Sequence, residues 1–360
     1  MFDLFQKPFG LDISDYSIEI VSLSGSIENP KLSCLGRLEL PPGILENGQI
    51  LNKKDLEKFL KNLISNPEFG KIKIKKFIFS LPESKSFIYI SEIPENFKKE
   101  DTPEFIKLKA SENFPFPLTE IYFDFQIREK EIFLVAVPKR IVDDYLEVFK
   151  NCSLQPLALE IESESLARSL IEGEKETVLI ADIGTRMTNF SLFDKKKLRL
   201  SISYPIAGNK FTKTVSEKLK ISFAEAENLK REVGLNPEKK EGKIFLILQE
   251  EIQGLIKEIK GMEEYFQKKT SRKIGKIILA GGSASLPYLR EYLAENLEKE
   301  VLIGDPWVKI NIDILRKKEY FKEALKINPL LYSITIGLAL RGLTKNPKEE
   351  GIDLIKKIKM

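Results

Sequence analysis

The chain has 360 residues, 42% of them apolar and 31% charged, with 58 Lys and Arg set against 54 Asp and Glu for a net charge of +4. Such a length buries a large core and exceeds one typical domain, while so small a charge imbalance argues against nucleic acid, whose phosphates need clustered basic residues. Histidine is absent altogether, which excludes imidazole bases, a Ser-His-Asp triad and His-ligated zinc.

Any chemistry must therefore use carboxylates, lysines, hydroxyls, backbone amides or a hard cation. The short lysine runs Lys71–Lys76, Lys195–Lys197 and Lys356–Lys359 read as solvated faces. Cys34 and Cys152 stand far apart without a metal or redox spacing, which suits a reducing compartment. No apolar run approaches the roughly 20 residues of a membrane span, and "MFDLFQKPFGLD" has neither the basic start nor the apolar stretch of an export signal. A cytosolic protein is expected.

In chain order, "FGLDISDYSIEIVSL" (9–23) predicts a strand, a turn at Ser14–Tyr16 and an alternating strand through Ile18, Ile20 and Leu23. A strand at Leu35–Leu40 follows, then an amphipathic helix near Lys53–Ser65 with Leu56, Phe59, Leu60 and Leu63 on one face, then the short apolar strand of "KKFIFSLP". Residues 84–155 read as an inserted strand–helix–strand–strand–helix block: Phe87–Ile90, Pro103–Asn113, two strands in "IYFDFQIREKEIFLVAVP", and Ile141–Phe149. "LALEIESESLARSLI" supplies a strand and a helix. A second half then repeats the plan of the first: "VLIADIGTRMTNFSLFD" (178–194), a strand at Leu198–Tyr204, and helices near Lys210–Leu219, Phe223–Val233 and Lys243–Lys269. The buried strand of "KIILAGG" leads into a helix at Leu286–Glu298, and "PLLYSITIGLALRGL" is an apolar helix near the end. Two echoing halves of mixed strands and helices predict an α/β protein with two lobes.

The two echoes share a chemistry. Both place an Asp at the end of an apolar strand with a tight turn just after it, Asp12 before Ser14-Asp15-Tyr16-Ser17 and Asp182 before Gly184-Thr185-Arg186-Met187-Thr188. Each alone can be an ordinary hairpin. Two of them facing each other would hold a triphosphate on backbone amides, with Asp12 and Asp182 on a hydrated Mg²⁺. A third piece, Gly281-Gly282-Ser283 between a buried strand and a helix, lets a base or ribose lie against the backbone and a helix start favour anionic groups. On the helix "FAEAENLKRE", Glu227 and Lys230 are three apart and share one face.

These stretches resemble the actin, Hsp70 and sugar-kinase ATPase superfamily: Asp12–Ser17 its first phosphate loop, Asp182–Thr188 its second, Gly281–Pro287 its adenosine motif, Glu227 and Lys230 its adenine-contacting helix, and "PIAGNKFT" its glycine turn through Gly208 and Thr212. "ENFPFPLTEIYFDFQI", "IFLVAVPKRIVDDYL", "LQPLALEIESESLARSL" and "IGLALRGL" narrow the likeness to the PilM family of actin-like type IV pilus assembly proteins, related to FtsA. That resemblance implies ATP and Mg²⁺ bound between two lobes, with slow hydrolysis at most. It implies a cytoplasmic scaffold at the inner face of the membrane, with membrane association only indirect. The partners it implies are the N-terminal cytoplasmic peptide of the inner-membrane protein PilN, docked beside the inserted block, and other inner-membrane pilus components and the motor. It also implies a division into 1–83 (first lobe), 84–155 (insert), 156–176 (return to the first lobe), 177–207 (second lobe), 208–273 (its insertion), 274–328 (second lobe), 329–345 (helix back to the first) and a tail of 346–360. Glu162 stands where the superfamily often keeps a water-orienting polar group, so Glu162 and Asp182 are the catalytic candidates; the acids of "LEIESES" can equally cap and solvate a helix.

Departures temper the enzyme reading. Ser14 replaces a frequent glycine, Asp15 adds a negative charge, Glu19 stands where relatives often have lysine, and Arg186 and Met187 replace small residues. The alternatives are an FtsA-like, filament-forming, membrane-tethered actin homologue and a small-molecule kinase of the same fold. Phe2, Leu4 and Phe5 are expected to cover a sheet edge. The tail "GIDLIKKIKM" (Ile352, Ile355, Ile358) is expected to fray, although its "IDLI" resembles the Ile-Asn-Leu-Leu-Pro signature with which PilN docks.

Overall fold

The computed structural model describes residues 7–95, 97, 102–173, 175–317 and 324–355. Phe2, Leu4, Phe5 and Ile358, on which two of the expectations fall, lie outside the described residues. The chain divides into two compact units, unit 1 of residues 1–169, 307–327 and 334–360, and unit 2 of residues 170–306 and 328–333.

In unit 1, β1 (Phe9–Ile13), β2 (Ser17–Ser26) and β3 (Asn29–Glu39) form an antiparallel meander. The two-residue strands β4 (Leu45–Glu46) and β5 (Gln49–Ile50) make a small hairpin before α1 (Lys53–Ser65). Asn52 starts α1 by accepting the N–H of Asp55. β6 (Phe69–Gly70), β7 (Lys76–Leu81) and, later, β11 complete a six-stranded sheet in the order β11-β7-β1-β2-β3-β6. β7 runs parallel to β1 and to β11. After the exposed Lys76 it is apolar on both faces, as a strand covered on both sides must be, with Ser80 the one polar residue of the buried run.

The inserted block contributes β8 (Phe87–Glu92), α2 (Thr102–Asn113), β9 (Ile121–Arg128), β10 (Glu131–Pro138) and α3 (Lys139–Asn151). Its antiparallel sheet, ordered β8-β10-β9, packs Phe123, Ile132, Leu134 and Ala136 against Ile106, Ala110 and Phe114. α3 turns its Ile141, Val142, Tyr145, Val148 and Phe149 face inward. The rings of Phe149 and Tyr145 stand 4.8–5.0 Å from Phe77 and Phe79 of β7, within the range of favourable edge and tilted aromatic pairs. β11 (Gln155–Ile161) and α4 (Glu162–Leu170) follow.

Unit 2 repeats the arrangement: β12 (Thr177–Ile183), β13 (Thr188–Asp194) and β14 (Lys197–Tyr204) form an antiparallel meander, extended in parallel by β15 (Lys276–Ala280) and β16 (Glu300–Ile303). The order β14-β13-β12-β15-β16 matches β3-β2-β1-β7-β11 strand for strand. The two echoes of the sequence are therefore two copies of one sheet plan. α5 (Gly208–Leu219), α6 (Phe223–Val233), α7 (Lys243–Thr270) and α8 (Leu289–Leu297) enclose a core of Phe190, Phe211, Leu248, Ile252 and Leu279. Ser222 and Glu225 form a capping box at the start of α6.

α9 (Ser333–Leu343) is buried along most of its length. Beyond it the tail departs from its expected fraying: Ile352 and Leu354 are fully buried, because an acidic side chain and two backbone groups of the tail find partners on β9 and β11.

Candidate functional site

Each Asp-and-turn hairpin lies in its own unit. In unit 1, β1 carries Asp12 directly across from Glu19 on β2. Both carboxyls are buried. Asp12 accepts the Ser80 hydroxyl at 2.6 Å, and Glu19 accepts from Arg37 Nε at 3.0 Å across the β2–β3 ladder. Burial pushes Asp12 up to about 6 although Ser80 favours its charged form. Burial, with Asp12 alongside, pushes Glu19 up to about 8 against the attraction of Arg37.

The turn after Asp12 is tied by Ser14, whose hydroxyl accepts the N–H groups of Tyr16 and Ser17 at 3.3 and 3.1 Å. A serine thus closes with its side chain a turn that glycine would close by conformation alone. Asp15 points its carboxylate at another turn and accepts the N–H groups of Asn47 and Gly48 at 2.6 and 2.8 Å. Tyr16 is exposed at the tip. Glu162 opens α4, and the next residue, Ser163, donates its N–H to Glu83 at 3.1 Å.

In unit 2 the candidate residues converge on one backbone atom. Gly184 N–H closes the turn onto Met187 O at 3.0 Å. The Gly184 carbonyl then accepts both the N–H of Gly208 and the hydroxyl of Ser283, each at 3.1 Å. Asn209 N–H reaches Thr185 O at 2.8 Å, and the Thr188 hydroxyl reaches Ile206 O at 2.6 Å. The second turn, the start of α5 and the loop after β15 are therefore one hydrogen-bonded cluster.

Glycine is required at two of its positions. A Cβ on Gly281 would come within 2.4 Å of Asp182 Oδ1 and 2.7 Å of Ile183 O, and its φ is +76°, a region that side chains disfavour. A Cβ on Gly208 would lie 2.7 Å from Ser283 Oγ and 3.3 Å from Gly184 O. Gly281 and Asp182 thus lie against each other, while Gly282 follows at the start of a short 3₁₀ turn.

Glu227 and Lys230 do share a face and form an ion pair at 2.7 Å. Lys230 also donates to Gly208 O at 3.1 Å and to the Thr212 hydroxyl at 2.9 Å, and Thr212 donates to Glu227. Burial lowers the Lys230 ammonium despite Glu227. Glu227 is opposed by its own burial, yet Lys230 and Thr212 hold it below the usual carboxylate range. All three ammonium protons are engaged, so this pair braces α6 against the start of α5 and presents its surroundings with a neutralised group. Arg186 and Met187 are half-buried in the turn.

Two residues that partner the first hairpin, Ser80 on β7 and Arg37 on β3, were not singled out by sequence reasoning. Ser80, the partner of Asp12, was legible as the one polar residue in the apolar run of β7. Arg37 carried no signal, since its role depends on lying across from Glu19. Among the described residues, no group of three or more His, Cys, Asp or Glu can hold a metal ion. A Mg²⁺ that arrives with phosphates requires only one or two carboxylates.

A family model described as "Type IV pilus assembly protein PilM" matches residues 10–343. Among solved structures, a PilM–PilN type IV pilus biogenesis complex is similar with a TM-score of 0.79 at 22% identity, over 94% of this chain and 99% of that one. The ethanolamine utilization protein EutJ from Carboxydothermus hydrogenoformans gives a TM-score of 0.53 at 15% identity, over 92% of this chain and 89% of that one. MreB5 of Spiroplasma citri bound to ADP gives a TM-score of 0.53 at 12% identity, over 93% and 96% of the two chains. At such identities the likeness concerns the fold, and the fold is the actin-like α/β fold.

Proposed function

Because the chain belongs to the type IV pilus assembly protein PilM family, we propose that it is a nucleotide-binding cytoplasmic scaffold of type IV pilus assembly, which binds ATP with Mg²⁺ and docks the cytoplasmic N-terminal peptide of PilN. The observation that carries the nucleotide half is the cluster on the Gly184 carbonyl, where the second turn, Gly208 and Ser283 meet. Glycine at 281 keeps the Asp182 side chain against the backbone. This is the kind of close-approach backbone that phosphate and ribose groups need.

The residues present fit the nucleotide. In unit 2, Gly184–Thr188, Gly208 and Gly281–Ser283 would contact it, and Glu227 with Lys230 would border it as a neutralised pair. In unit 1, Ser14–Ser17 is the stretch that the family resemblance makes a phosphate loop. Asp12 and Asp182 are hard oxygen donors suited to a largely hydrated Mg²⁺. When bound, Mg²⁺ would supply positive charge to the phosphates, and the two carboxylates would complement the cation through its water shell. Without histidine, and with Asp15 turned onto Asn47 and Gly48, no strong base stands in the first turn. In this reading Glu162 and Asp182 support slow turnover at most. No helix among the described residues is long and apolar enough to cross a membrane, and attachment to the inner membrane and to the motor side runs through protein partners.

The test is calorimetric titration of ATP with Mg²⁺, with and without a synthetic PilN N-terminal peptide, into wild type and Asp182→Ala. Tight ATP binding by wild type, a loss of at least about tenfold in Asp182→Ala, and peptide binding to the wild type would support the reading. No binding of ATP by a folded wild type would overturn its nucleotide half, and no binding of the peptide its partner half.

A further inference from the structure

The C-terminal segment Gly351–Ile355 is held as a bound peptide is held. Its socket is built from three elements distant in sequence. β11 is an outermost strand of its sheet, and at Leu159 its outward N–H and C=O both meet the tail: Leu159 N–H donates to Asp353 Oδ1 at 3.0 Å, and Leu354 N–H donates to Leu159 O at 2.9 Å. β9 supplies Asp124, which accepts the N–H of Asp353 at 2.8 Å. α9 supplies Arg341, fully buried, whose Nη1 donates to Ile352 O at 2.7 Å and to Glu160 at 2.6 Å.

The apolar side chains of Ile352 and Leu354 are fully buried on either side of Asp353. The socket therefore reads an aliphatic–acceptor–aliphatic triplet that turns at its end, where Asp353 Oδ1 also accepts the N–H of Ile355 at 3.1 Å: two side-chain plugs, one side-chain acceptor, and one main-chain hydrogen bond to a strand edge. Addition of an extended segment to an exposed edge is a general mode of peptide recognition. Lys345, Asn346 and Lys348–Glu350 of the linker are exposed, and Gly351 enters the socket at φ +93°. One donor is left over, since Arg341 Nη2 is buried without a hydrogen-bond partner among the described residues. A buried unsatisfied donor is costly, and an occupant with one more acceptor would use it.

We propose that Gly351–Ile355 is a built-in competitor: it occupies in cis a peptide socket that a partner segment of the same aliphatic–acceptor–aliphatic chemistry, with Asp or Asn at the centre, takes in trans by displacing it. Only the identity of that partner rests on the function proposed above; the cis occupancy rests on the contacts of the tail. A short exposed linker keeps the tail at a high effective concentration, so it weakens trans binding without abolishing it.

The experiment uses the full chain with a specific protease site placed in the exposed linker at Lys348–Glu350, so that the protein folds intact before it is cut. The probe is a fluorescent peptide of residues 349–360. After cutting and dialysis, the probe is expected to bind at least about tenfold more tightly than to the uncut chain, and a probe carrying Leu354→Asp is expected not to bind. Leu354→Asp in the intact chain is expected to open the socket to the unmodified probe and to speed amide exchange at Leu159. Equal binding by cut and uncut chains would overturn the proposal. So would a cut chain that melts, or a folded cut chain that ignores the probe, since the tail would then be a structural strand. A PilN N-terminal peptide added as competitor separates the two readings. If it displaces the probe, both stand. If it does not, while the probe binds only the cut chain, cis occupancy stands and PilN docking at this socket fails.

Discussion

The β1–β2 and β12–β13 hairpins begin from one sequence pattern, an apolar strand ending in Asp before a tight turn, and occupy matching places in matching sheets. They are nevertheless built from different materials. The unit 1 hairpin is a buried side-chain network: Asp12 with Ser80, Glu19 with Arg37, Ser14 tying its own turn, and Asp15 fastened to a neighbouring hairpin. The unit 2 hairpin is mainly a backbone structure, in which carbonyls and amides of Gly184, Gly208 and Asn209 meet, the hydroxyls of Thr188 and Ser283 donate to backbone carbonyls, and glycine at 208 and 281 leaves the space a Cβ would fill. A shared strand-and-turn plan thus leaves the means of closing the turn free. A network of buried acids answers to pH, whereas a network of amides answers to volume.

The strongest way to break the comparison is to add volume to the backbone hairpin. Gly281→Ala forces a Cβ to within 2.4 Å of Asp182 Oδ1 at positive φ, and a loss of about 2–4 kcal/mol in urea unfolding is expected. Removing the donor to Asp12 should be next. Ser80→Ala leaves a buried carboxyl without its hydroxyl partner, at a cost of about 1–3 kcal/mol by the same measurement.

The acid network sharpens the comparison through pH. Asp12 and Glu19 have folded values of about 6 and about 8, above their ordinary 3.8 and 4.5. The folded state then binds more protons than the unfolded one between those limits. Their contribution to stability is full below the ordinary carboxylate range and is lost as pH rises toward about 8. Glu19→Gln should flatten that decline in unfolding titrations, while Asn189→Ala in the unit 2 hairpin should leave it unchanged. The smallest effect is expected from Asp15→Ala, which frees two N–H groups at a partly exposed turn. A loss of about 1 kcal/mol or less should appear in the same unfolding assay.

The elements and their echo were legible because they are local. Alternation in "SIEIVSL", helical spacing in "LEKFLKNL" and the stop at Pro82 act within a few residues. The Asp-turn-strand motif and the paired glycines are equally local, so the candidate residues were legible too. What the neighbouring charges do was not. Asp15 reads as a charge near phosphates and Glu19 as a departure from a frequent lysine, and neither reading shows that Asp15 accepts from Asn47 and Gly48, 32 and 33 residues away, or Glu19 from Arg37. The resemblance sets Lys230 on an adenine-contacting helix, and the sequence does not show that its ammonium meets Glu227, Gly208 and Thr212. The tail read as frayed, since three isoleucines spaced among lysines carry little local signal.

By itself, then, the amino-acid order determined the α/β class, the doubled strand plan, the absence of imidazole chemistry and the stretches from which a nucleotide site would be drawn, because periodicity, turn residues and composition act over short distances. Only the tertiary structure decided that Gly184 O gathers Gly208 and Ser283, the latter 99 residues away, and that Asp353 reaches Leu159 across 194 residues. Hydrogen bonds between distant segments depend on which edges and turns the core brings together, and on which buried polar groups are left in need of a partner.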